Sequence, residues 1–200
     1  MRGDKVRRDY EIIRDLIAEN SKVLDLGCGN GELLAYLKRE KNIRGKGIEI
    51  NGKRVSESIA RGITVYQGDM EEVLPEYPDK AYDYIIISQT LQEVRNPELV
   101  LTHSLRVARF VIVSFPNFGY WKVRFYVLCR GRIPPSIGGF SYTWYETPDV
   151  HPLSIRDFED YCKIKNIRIV KAYYLAQDRI VKISPNFFAT LGIYMLTQSH

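Results

Sequence analysis

A turn built on three glycines at alternate positions is the stretch of the sequence best suited to chemistry. Gly27, Gly29 and Gly31 follow a short apolar run that carries Asp25 near its end. Glycine permits a positive φ and lets a ligand approach the backbone closely, because no Cβ stands in the way. The apolar residues after the turn repeat at helical spacing, and a helix N-terminus offers unpaired N–H groups and a partial positive charge. The stretch is therefore predicted to be a strand, a tight turn and a helix start that bind a nucleotide-type ligand.

The spacing of the glycines indicates which kind of nucleotide the turn could bind. A dinucleotide-binding turn follows a G-x-G-x-x-G pattern, but this chain has Glu32 where the close approach of a pyrophosphate would be wanted. The Walker phosphate-binding pattern is absent from the sequence too, since no Lys-Ser or Lys-Thr pair follows the glycines. An acidic strand end at Asp25 suits a ligand that carries positive charge and no phosphate. S-adenosylmethionine is such a ligand, because it has a sulfonium and an ammonium group.

Strand-like and helix-like segments alternate through the first part of the chain and would position that turn. Strands are predicted at 22–26, 44–50, 63–67, 82–88 and 109–114, and helices at 9–19, 31–39, 52–61 and 97–107. This alternation predicts a parallel, doubly wound sheet with right-handed crossovers. Helices at 120–128 and 154–165 and strands at 167–176 and 187–196 follow. Since the sequence has no repeat and no linker, a single domain over residues 1–200 is predicted, with an N-terminal helix within 1–20.

Residues 22–114 resemble the class I S-adenosylmethionine-dependent methyltransferases. The segment from Asp25 to Gly31 is similar to the first motif of that family, and Glu49 stands where the family has an acid at the end of its second strand. The resemblance implies that Glu49 accepts hydrogen bonds from both ribose hydroxyls, a charge-assisted pair. It also implies that Asp69 accepts one from the adenine amino group and that Met70 packs on the adenine ring.

The resemblance gives a complete set of cofactor-binding residues. They are Asp25, Gly27, Cys28, Gly29, Asn30, Gly31, Glu49, Ile50, Asp69, Met70, Ser88 and Gln89. The implied cofactor is S-adenosylmethionine or S-adenosylhomocysteine, with no metal, and the residues after the fourth strand would floor the pocket near its methionine portion. The implied architecture is the Rossmann-like class I methyltransferase fold, an α/β fold with a seven-stranded, mostly parallel sheet, an antiparallel last strand and helices on both faces.

Each of these features also has a plain structural interpretation. The glycines alone fit an ordinary strand–helix turn, Glu49 alone fits a solvated strand-end acid, and Asp69 alone fits a helix N-cap. Met70 alone would fill the core. Their shared position at the carboxyl ends of strands, where open α/β sheets bind ligands, favours a nucleoside pocket.

The second half of the chain narrows the resemblance. Segments 113–121 and 142–151 are rich in aromatic residues and are similar to the methionine biosynthesis protein MetW family, as are segments 85–94 and 155–162. This resemblance implies a role in methionine synthesis together with homoserine O-acyltransferase, and it leaves open whether methyl transfer occurs. S-adenosylmethionine is a downstream product of that pathway, so a protein that binds it could report methionine status.

The aromatic-rich segment 116–152 is predicted to be a lid or a partner-binding segment. Its rings could shield an acceptor site, form an interface with a partner or complete the core. His151 is a weak candidate for a general base, with hydrogen bonding to the chain or capping of the next helix as the favoured alternative. Ser88-Gln89-Thr90 is not the clamp of enzymes that methylate amino groups of nucleic acids. The residues predicted to face a substrate or a partner are Asn117, Tyr120, Trp121, Tyr142, Trp144, Tyr145 and His151.

Composition and charge are those of an ordinary globular protein. The net charge of +5 permits an anionic partner without requiring one. Four cations surround a predicted helix, namely Lys122, Arg124, Arg130 and Arg132. With so few charges, a solvated helix face is a better interpretation than binding to anionic lipid or RNA. The first residues lack the apolar core of a signal peptide, the apolar runs are short, and the three cysteines are scattered. We therefore expect a cytoplasmic protein that binds neither a membrane nor nucleic acid.

Overall fold

Two compact units make up the chain in this computed structural model, which describes residues 6–132, 134, 136, 137, 140, 141 and 150–199. The first unit runs through Ser88 and resumes at Glu98–Ile112. The second contains Gln89–Pro97 and the chain from Val113 onward. That both units belong to one domain stays a prediction.

The first unit contains the alternating strands and helices that the sequence predicts. Its strands lie in the order β3-β2-β1-β4-β5, and β1 is parallel to both β2 and β4. β3 is parallel to β2. The strands are β1 (Lys22–Leu26), β2 (Arg44–Glu49), β3 (Thr64–Gln67), β4 (Tyr82–Ser88) and β5 (Ala108–Pro116), whose last residues enter the second unit. The helices are α1 (Arg8–Leu16), α2 (Glu32–Lys41), α3 (Gly52–Ala60), α4 (Met70–Val73) and α5 (Pro97–Val107).

Burial of β1 and β4 gives the first unit its core. Four of the five residues of β1 are buried, as are Tyr84 to Ile87 of β4. Strands buried on both faces read as continuous apolar runs in parallel sheets. In the register of the sheet, Asp25 lies beside Gly47 of β2 and Ile86 of β4. The ionisable side chain of Asp25 therefore lies among buried apolar strands, near the carboxyl end of the central strand β1.

The second unit contains the remaining helices and strands. β10 (Leu191–Gln198) is antiparallel to β8 (Ile167–Ala176), as the sequence predicts for the last strand, and β8 is also antiparallel to the short β9 (Arg179–Ile180). The strands β6 (Ser136–Ile137) and β7 (Phe140–Ser141), of two residues each, pair antiparallel in a separate sheet. The helices are α6 (Trp121–Arg130), α7 (Ile155–Ile164) and α8 (Pro185–Phe188).

Local sequence explains where the second unit differs from the prediction. The strand predicted at 187–196 begins only at Leu191, because Phe187 and Phe188 belong to α8. Pro185 occupies the first turn of α8, where its missing N–H costs nothing. β9 is a strand that the sequence did not reveal, since two residues show no periodicity. By contrast, the helix predicted at 154–165 is present as α7, and Ser154 caps it in a capping box with Asp157.

Rings fill the core of the second unit. Phe115, Phe158 and Tyr194 are buried, with ring centroids 4.8 to 5.7 Å apart. Over the described part of the chain, no helix combines the length and the apolar character needed to cross a membrane.

Candidate functional site

The glycine turn after β1 is held against the end of β2. The backbone N–H groups of Gly27 and Cys28 both donate to the carbonyl of Ile48, at 2.8 and 3.1 Å. Gly27, Gly29 and Gly31 have φ values of 73°, 56° and 74°, which L side chains rarely adopt. The turn that the sequence predicts is therefore present, and glycine is required by its backbone.

Gly29 and Gly31 face different surroundings. A Cβ built on Gly31 would lie 2.8 Å from Oγ of Ser58, so this glycine allows close packing of the turn on α3. A Cβ built on Gly29 would meet no described atom within 4 Å. The backbone of Gly29 thus borders open space, and its carbonyl is held by the Ser58 hydroxyl at 2.9 Å. A fixed backbone beside open space is what a closely approaching ligand needs.

Glu49 is a buried acid whose two oxygens both accept backbone hydrogen bonds. Its Oε2 accepts from the N–H of Gly29 at 2.9 Å, and its Oε1 accepts from the N–H of Asn51 at 2.9 Å. Asn51 in turn caps α3, because its side-chain oxygen accepts from the N–H groups of Lys53 and Arg54. The alternative interpretation of Glu49 as a solvated strand-end acid is therefore wrong. The acid joins the glycine turn to the start of α3.

Asp25 is also buried, and its Oδ1 has no hydrogen-bond partner among the described residues. Burial, together with the negative charge of Glu49, raises the pKa of Asp25 to about 7. Buried acceptors without partners are rare in native proteins, and each needs an explanation. A cationic ligand fits the Asp25 carboxylate, because it would stabilise the ionised form that burial disfavours.

The residues after β2 and β3 surround the same strand ends. Ile50 directly follows buried Glu49, yet 66% of its side chain is exposed. The N–H of Gly68 donates to the carbonyl of Glu49 at 3.1 Å, which ties the loop after β3 to β2. Asp69 caps α4 by accepting from the N–H of Glu71, and half-buried Met70 begins that helix. The N-cap interpretation of Asp69 is thus confirmed, and contact of Asp69, Met70 or Ile50 with adenine stays a prediction.

Cys28 and Asn30 complete the turn in structural roles. Burial raises the pKa of Cys28 to about 12, and the charges of Asp25 and Glu49 act in the same direction, so the thiol is neutral at physiological pH. Its side chain lies where a Cβ on Gly47 would stand, which explains the glycine there in β2. Oδ1 of Asn30 accepts from the N–H of Glu32 at 3.2 Å, at the start of α2. The described residues contain no group of three or more potential metal ligands.

Sequence reasoning missed Asn51, Ser58 and Tyr10. Asn51 carried a usable signal, because an Asn directly before a helical pattern is a typical N-cap. Ser58 carried none, since its role depends on the contact with Gly29. Tyr10 of α1 is buried and stacks on Tyr36 with centroids 6.4 Å apart. Burial raises the pKa of Tyr10 to about 12, and the charge of Asp25 contributes to that rise, so α1 lies within electrostatic reach of the site.

Ser88 and Gln89 fall on either side of the boundary between the units. Ser88 is the half-buried last residue of β4 in the first unit, where it shares the carboxyl edge of the sheet with the ends of β1 to β3. Gln89, in the second unit, has a φ of 54°, and its N–H donates to the carbonyl of Ser114 at 2.8 Å. The first unit therefore brings together the predicted cofactor residues from Asp25 through Ser88.

Asn117 is fully buried at the centre of the second unit. Its Nδ2 donates to the carbonyls of Ala189 and Asn186 at 2.8 and 3.1 Å, and its Oδ1 accepts from the N–H groups of Gly119 and Ile155 at 2.9 and 3.1 Å. These four bonds use the whole side-chain amide. Asn117 therefore joins the end of β5 to α7 and to α8, and a surface for a substrate or partner does not include it.

The other residues predicted to face a substrate or partner have mixed outcomes. Trp121 is exposed at the start of α6, with Tyr120 packed edge-on against it. The ring Nε2 of His151 lies 3.1 Å from the carbonyl of Arg95, and its backbone N–H donates to the carbonyl of Gln92 at 3.0 Å. These contacts support the structural role of His151. Tyr142, Trp144 and Tyr145 lie outside the described residues.

The chain is similar to known proteins over almost its whole length. Residues 7–196 match the profile of the family described as methionine biosynthesis protein MetW. The chain is 35% identical over 186 residues to a protein of Rhodopirellula baltica described as bifunctional methionine biosynthesis protein MetXA/MetW. That match covers 89% of this chain but 30% of the relative, so the chain spans less than a third of that protein's length.

Solved structures show the fold. A structure from Thermotoga maritima, described as an S-adenosylmethionine-dependent methyltransferase and possible histamine N-methyltransferase, has a TM-score of 0.68 at 15% identity and covers 96% of this chain and 88% of its own. The structure described as the [4+2]-cyclase SpnF also has a TM-score of 0.68 at 15% identity, covering 96% of this chain and 80% of its own. The predicted methyltransferase fold is thus confirmed, and the fold is shared by proteins described with different activities.

Proposed function

Because the chain belongs to the methionine biosynthesis protein MetW family, we propose that it binds S-adenosylmethionine and acts in methionine biosynthesis with a homoserine O-acyltransferase. The observation that carries the first half of this proposal is the pair of buried acids at the sheet edge. Asp25 has a buried oxygen without a partner among the described residues, and Glu49 lies at the neighbouring strand end. S-adenosylmethionine is a cationic nucleoside without phosphate. Such a ligand fits a site lined by acidic side chains and not a site built to bind an anion.

Named residues would hold each part of the cofactor. Glu49 would accept from the ribose hydroxyls with its remaining lone pairs, since each carboxylate oxygen accepts about two hydrogen bonds. Exposed Ile50 and half-buried Met70 would contact the adenine ring. The open backbone beside Gly29 would border the sulfonium-bearing chain, and Asp25 would offset its positive charge. When bound, the cofactor supplies a transferable methyl group, and the chain's own part is to bind and orient it.

The partner is proposed from the family. The Rhodopirellula baltica relative is described as bifunctional MetXA/MetW, and this chain matches 30% of it. We propose that the present chain makes a corresponding association with the acyltransferase, and that cofactor binding lets it report methionine status to that enzyme. A cytoplasmic location belongs to the same proposal, because it would bring the chain to a biosynthetic enzyme.

Purified components test this proposal. The chain and the homoserine O-acyltransferase of the same organism would be mixed and separated by size exclusion, and the acylation rate would be measured with and without the chain. Co-elution together with a changed rate is expected. Separate elution with an unchanged rate would end the proposed association, whatever the chain binds as a cofactor.

A second candidate function is methyl transfer to a small acceptor. It is favoured by the neighbours described as S-adenosylmethionine-dependent methyltransferases. Such transfer can proceed by proximity and alignment, so it needs no base. Incubation of the chain with radiolabelled S-adenosylmethionine and an extract lacking its gene would yield a labelled small molecule in this case. If no such product forms, binding and regulation remain the better account.

A further inference from the structure

Helix α6 exposes a stripe of large apolar side chains. None of its ten residues, all of which the structure describes, is buried. Trp121, Phe125 and Leu128 are exposed and follow the i, i+4, i+7 spacing that puts side chains on one helix face. Leu128 is 81% exposed and Phe125 is 59% exposed. An apolar face at this spacing is normally buried, but among the residues that the structure describes this face stays exposed.

Arg124 of α6 links this helix to α8 in the same unit. The guanidinium of Arg124 lies 5.8 Å from the centroid of the Phe187 ring, and its Nε donates to the carbonyl of Gly119 at 2.6 Å. Phe187 and Phe188 are both exposed, with rings perpendicular at 5.0 Å. We call Trp121, Phe125, Leu128, Phe187 and Phe188 together the α6–α8 surface. Contiguous exposed apolar surface of this kind marks interaction sites on proteins.

The two segments that form the α6–α8 surface carry positive charge. Segment 116–132 contains Lys122, Arg124, Arg130 and Arg132 and no acid, and segment 179–191 contains Arg179 and Lys182 and no acid. If two copies met through this surface, each cationic segment would face its equivalent, and like charges would repel. Charge complementarity therefore favours a different protein, with an apolar groove rimmed by carboxylates.

The surface is also pre-shaped. The Arg124 guanidinium is fixed by both Gly119 and Phe187, and the ammonium of Lys122 lies 5.6 Å from the centroid of the Trp121 ring. Because these cations are held against aromatic rings, the surface has a defined shape. A defined shape suits a complementary protein groove better than a fluid lipid surface. Short helices commonly bind partners by placing i, i+4 and i+7 anchors into such a groove.

We propose that the α6–α8 surface is the docking site for the homoserine O-acyltransferase, which receives it in an acid-rimmed apolar groove. This proposal rests on the proposed function and adds to it which face of the chain makes the contact. Phe125 and Leu128 are the central anchors, because they are the most exposed members of the helical stripe. The cations at the rim would speed association and make it sensitive to salt.

Paired substitutions test the surface. The full chain with Phe125→Glu and Leu128→Glu would be compared with Ile164→Glu, whose parent side chain is 79% exposed at the end of α7 in the same unit. Calorimetric titration into the acyltransferase should show affinity weakened about tenfold or more for the double variant. The Ile164→Glu control should bind like the unsubstituted chain. Unchanged melting temperature and unchanged stabilisation by S-adenosylmethionine would establish that the double variant is folded.

The outcomes separate this inference from the function beneath it. If the unsubstituted chain does not bind the acyltransferase, the proposed function fails and this docking site fails with it. If the unsubstituted chain binds and the double variant binds equally well, only the docking site is wrong. Flotation with phosphatidylglycerol vesicles tests whether the surface binds a membrane. Sedimentation of the chain alone tests whether it binds a second copy of the chain. Loss of vesicle binding or of a dimer in the double variant, with acyltransferase binding intact, would overturn the proposal in favour of a membrane or a second copy.

Discussion

The backbone N–H of Gly29 donates a hydrogen bond of 2.9 Å to Oε2 of Glu49. This single contact joins the glycine turn after β1 to the acid at the end of β2. Because Oε1 of the same carboxylate accepts from Asn51 at 2.9 Å, the acid also positions the start of α3. Glu49 is therefore a structural element of the site before any ligand binds, and replacing it affects both the turn and the ligand.

Glu49→Gln should weaken the binding of S-adenosylmethionine. Hydrogen bonds to a charged group contribute about 1.5–3 kcal/mol, which corresponds to roughly a tenfold to 150-fold loss of affinity. The melting temperature should also fall, because the amide NH₂ of Gln replaces an acceptor that faces a backbone donor. Glu57→Gln, on the exposed side of α3, is the matched control. Unchanged affinity by calorimetry would remove Glu49 from the site.

Asp25 should make the stability of the chain depend on pH. Burial raises its pKa from 3.8 to about 7, so the folded chain holds a proton that the unfolded chain releases. The stabilisation is complete below about pH 4 and is lost as the pH rises through about 7. Asp25→Asn stays neutral and should abolish this fall. Its free energy of unfolding above pH 7 should therefore exceed that of the unsubstituted chain, as measured by urea denaturation.

The same Asp25→Asn substitution should have the opposite effect on the ligand. A cationic sulfonium favours the ionised carboxylate, so affinity for S-adenosylmethionine should rise with pH through about 7 in the unsubstituted chain. The neutral amide should bind more weakly and without this pH dependence. A variant that is more stable at pH 8 yet binds less well is the expected combination. If its affinity at pH 8 is unchanged, Asp25 does not interact with the charge of the ligand.

Gly29→Ala and Gly62→Ala separate backbone strain from access to the site. Both glycines have positive φ, at 56° and 75°, and a Cβ on either would meet no described atom within 4 Å. Each substitution should therefore cost about 1–2 kcal/mol of stability, the price of a left-handed L-residue. Only Gly29→Ala should also reduce binding of S-adenosylmethionine, because its methyl group would enter the space reserved for the ligand. Equal affinity of the two variants would contradict that assignment.

Asn117→Ala should destabilise the chain strongly. Four hydrogen bonds of a fully buried amide are lost, and the backbone groups they satisfied remain buried. A loss on the order of 3 kcal/mol or more in the free energy of unfolding is expected. Gln198→Ala, at the exposed end of β10, should change stability little. An equally small effect of Asn117→Ala in chemical denaturation would show that these bonds contribute no net stability.

The sequence predicted what depends on local rules. Alternate glycines after an apolar run predicted the turn at Gly27, because positive φ and close approach are properties of glycine itself. The helix predicted at 154–165 is present for a similar local reason, because Ser154 caps its start. The fold followed because apolar runs of strand length alternate with helical patterns.

Properties that depend on tertiary contact were not predictable in this way. Asn117 looked like a site residue, since a sequence does not reveal that an amide will bind four backbone groups from distant segments. Phe187 and Phe188 have the composition of a strand, because aromatic residues favour strands, but Pro185 begins a helix that includes both. The stripe on α6 has the spacing of a core helix, and spacing alone does not tell whether a face is covered.

Calorimetric titration of S-adenosylmethionine and S-adenosylhomocysteine into the purified chain at pH 8 tests the central claim most directly. We expect saturable binding with one site per chain, lost or strongly weakened in Glu49→Gln and Gly29→Ala and retained in Glu57→Gln and Gly62→Ala. Saturable binding that all four variants share would contradict the assigned site. No binding of either compound at millimolar concentration would contradict the claim that this chain is a cofactor-binding member of its fold.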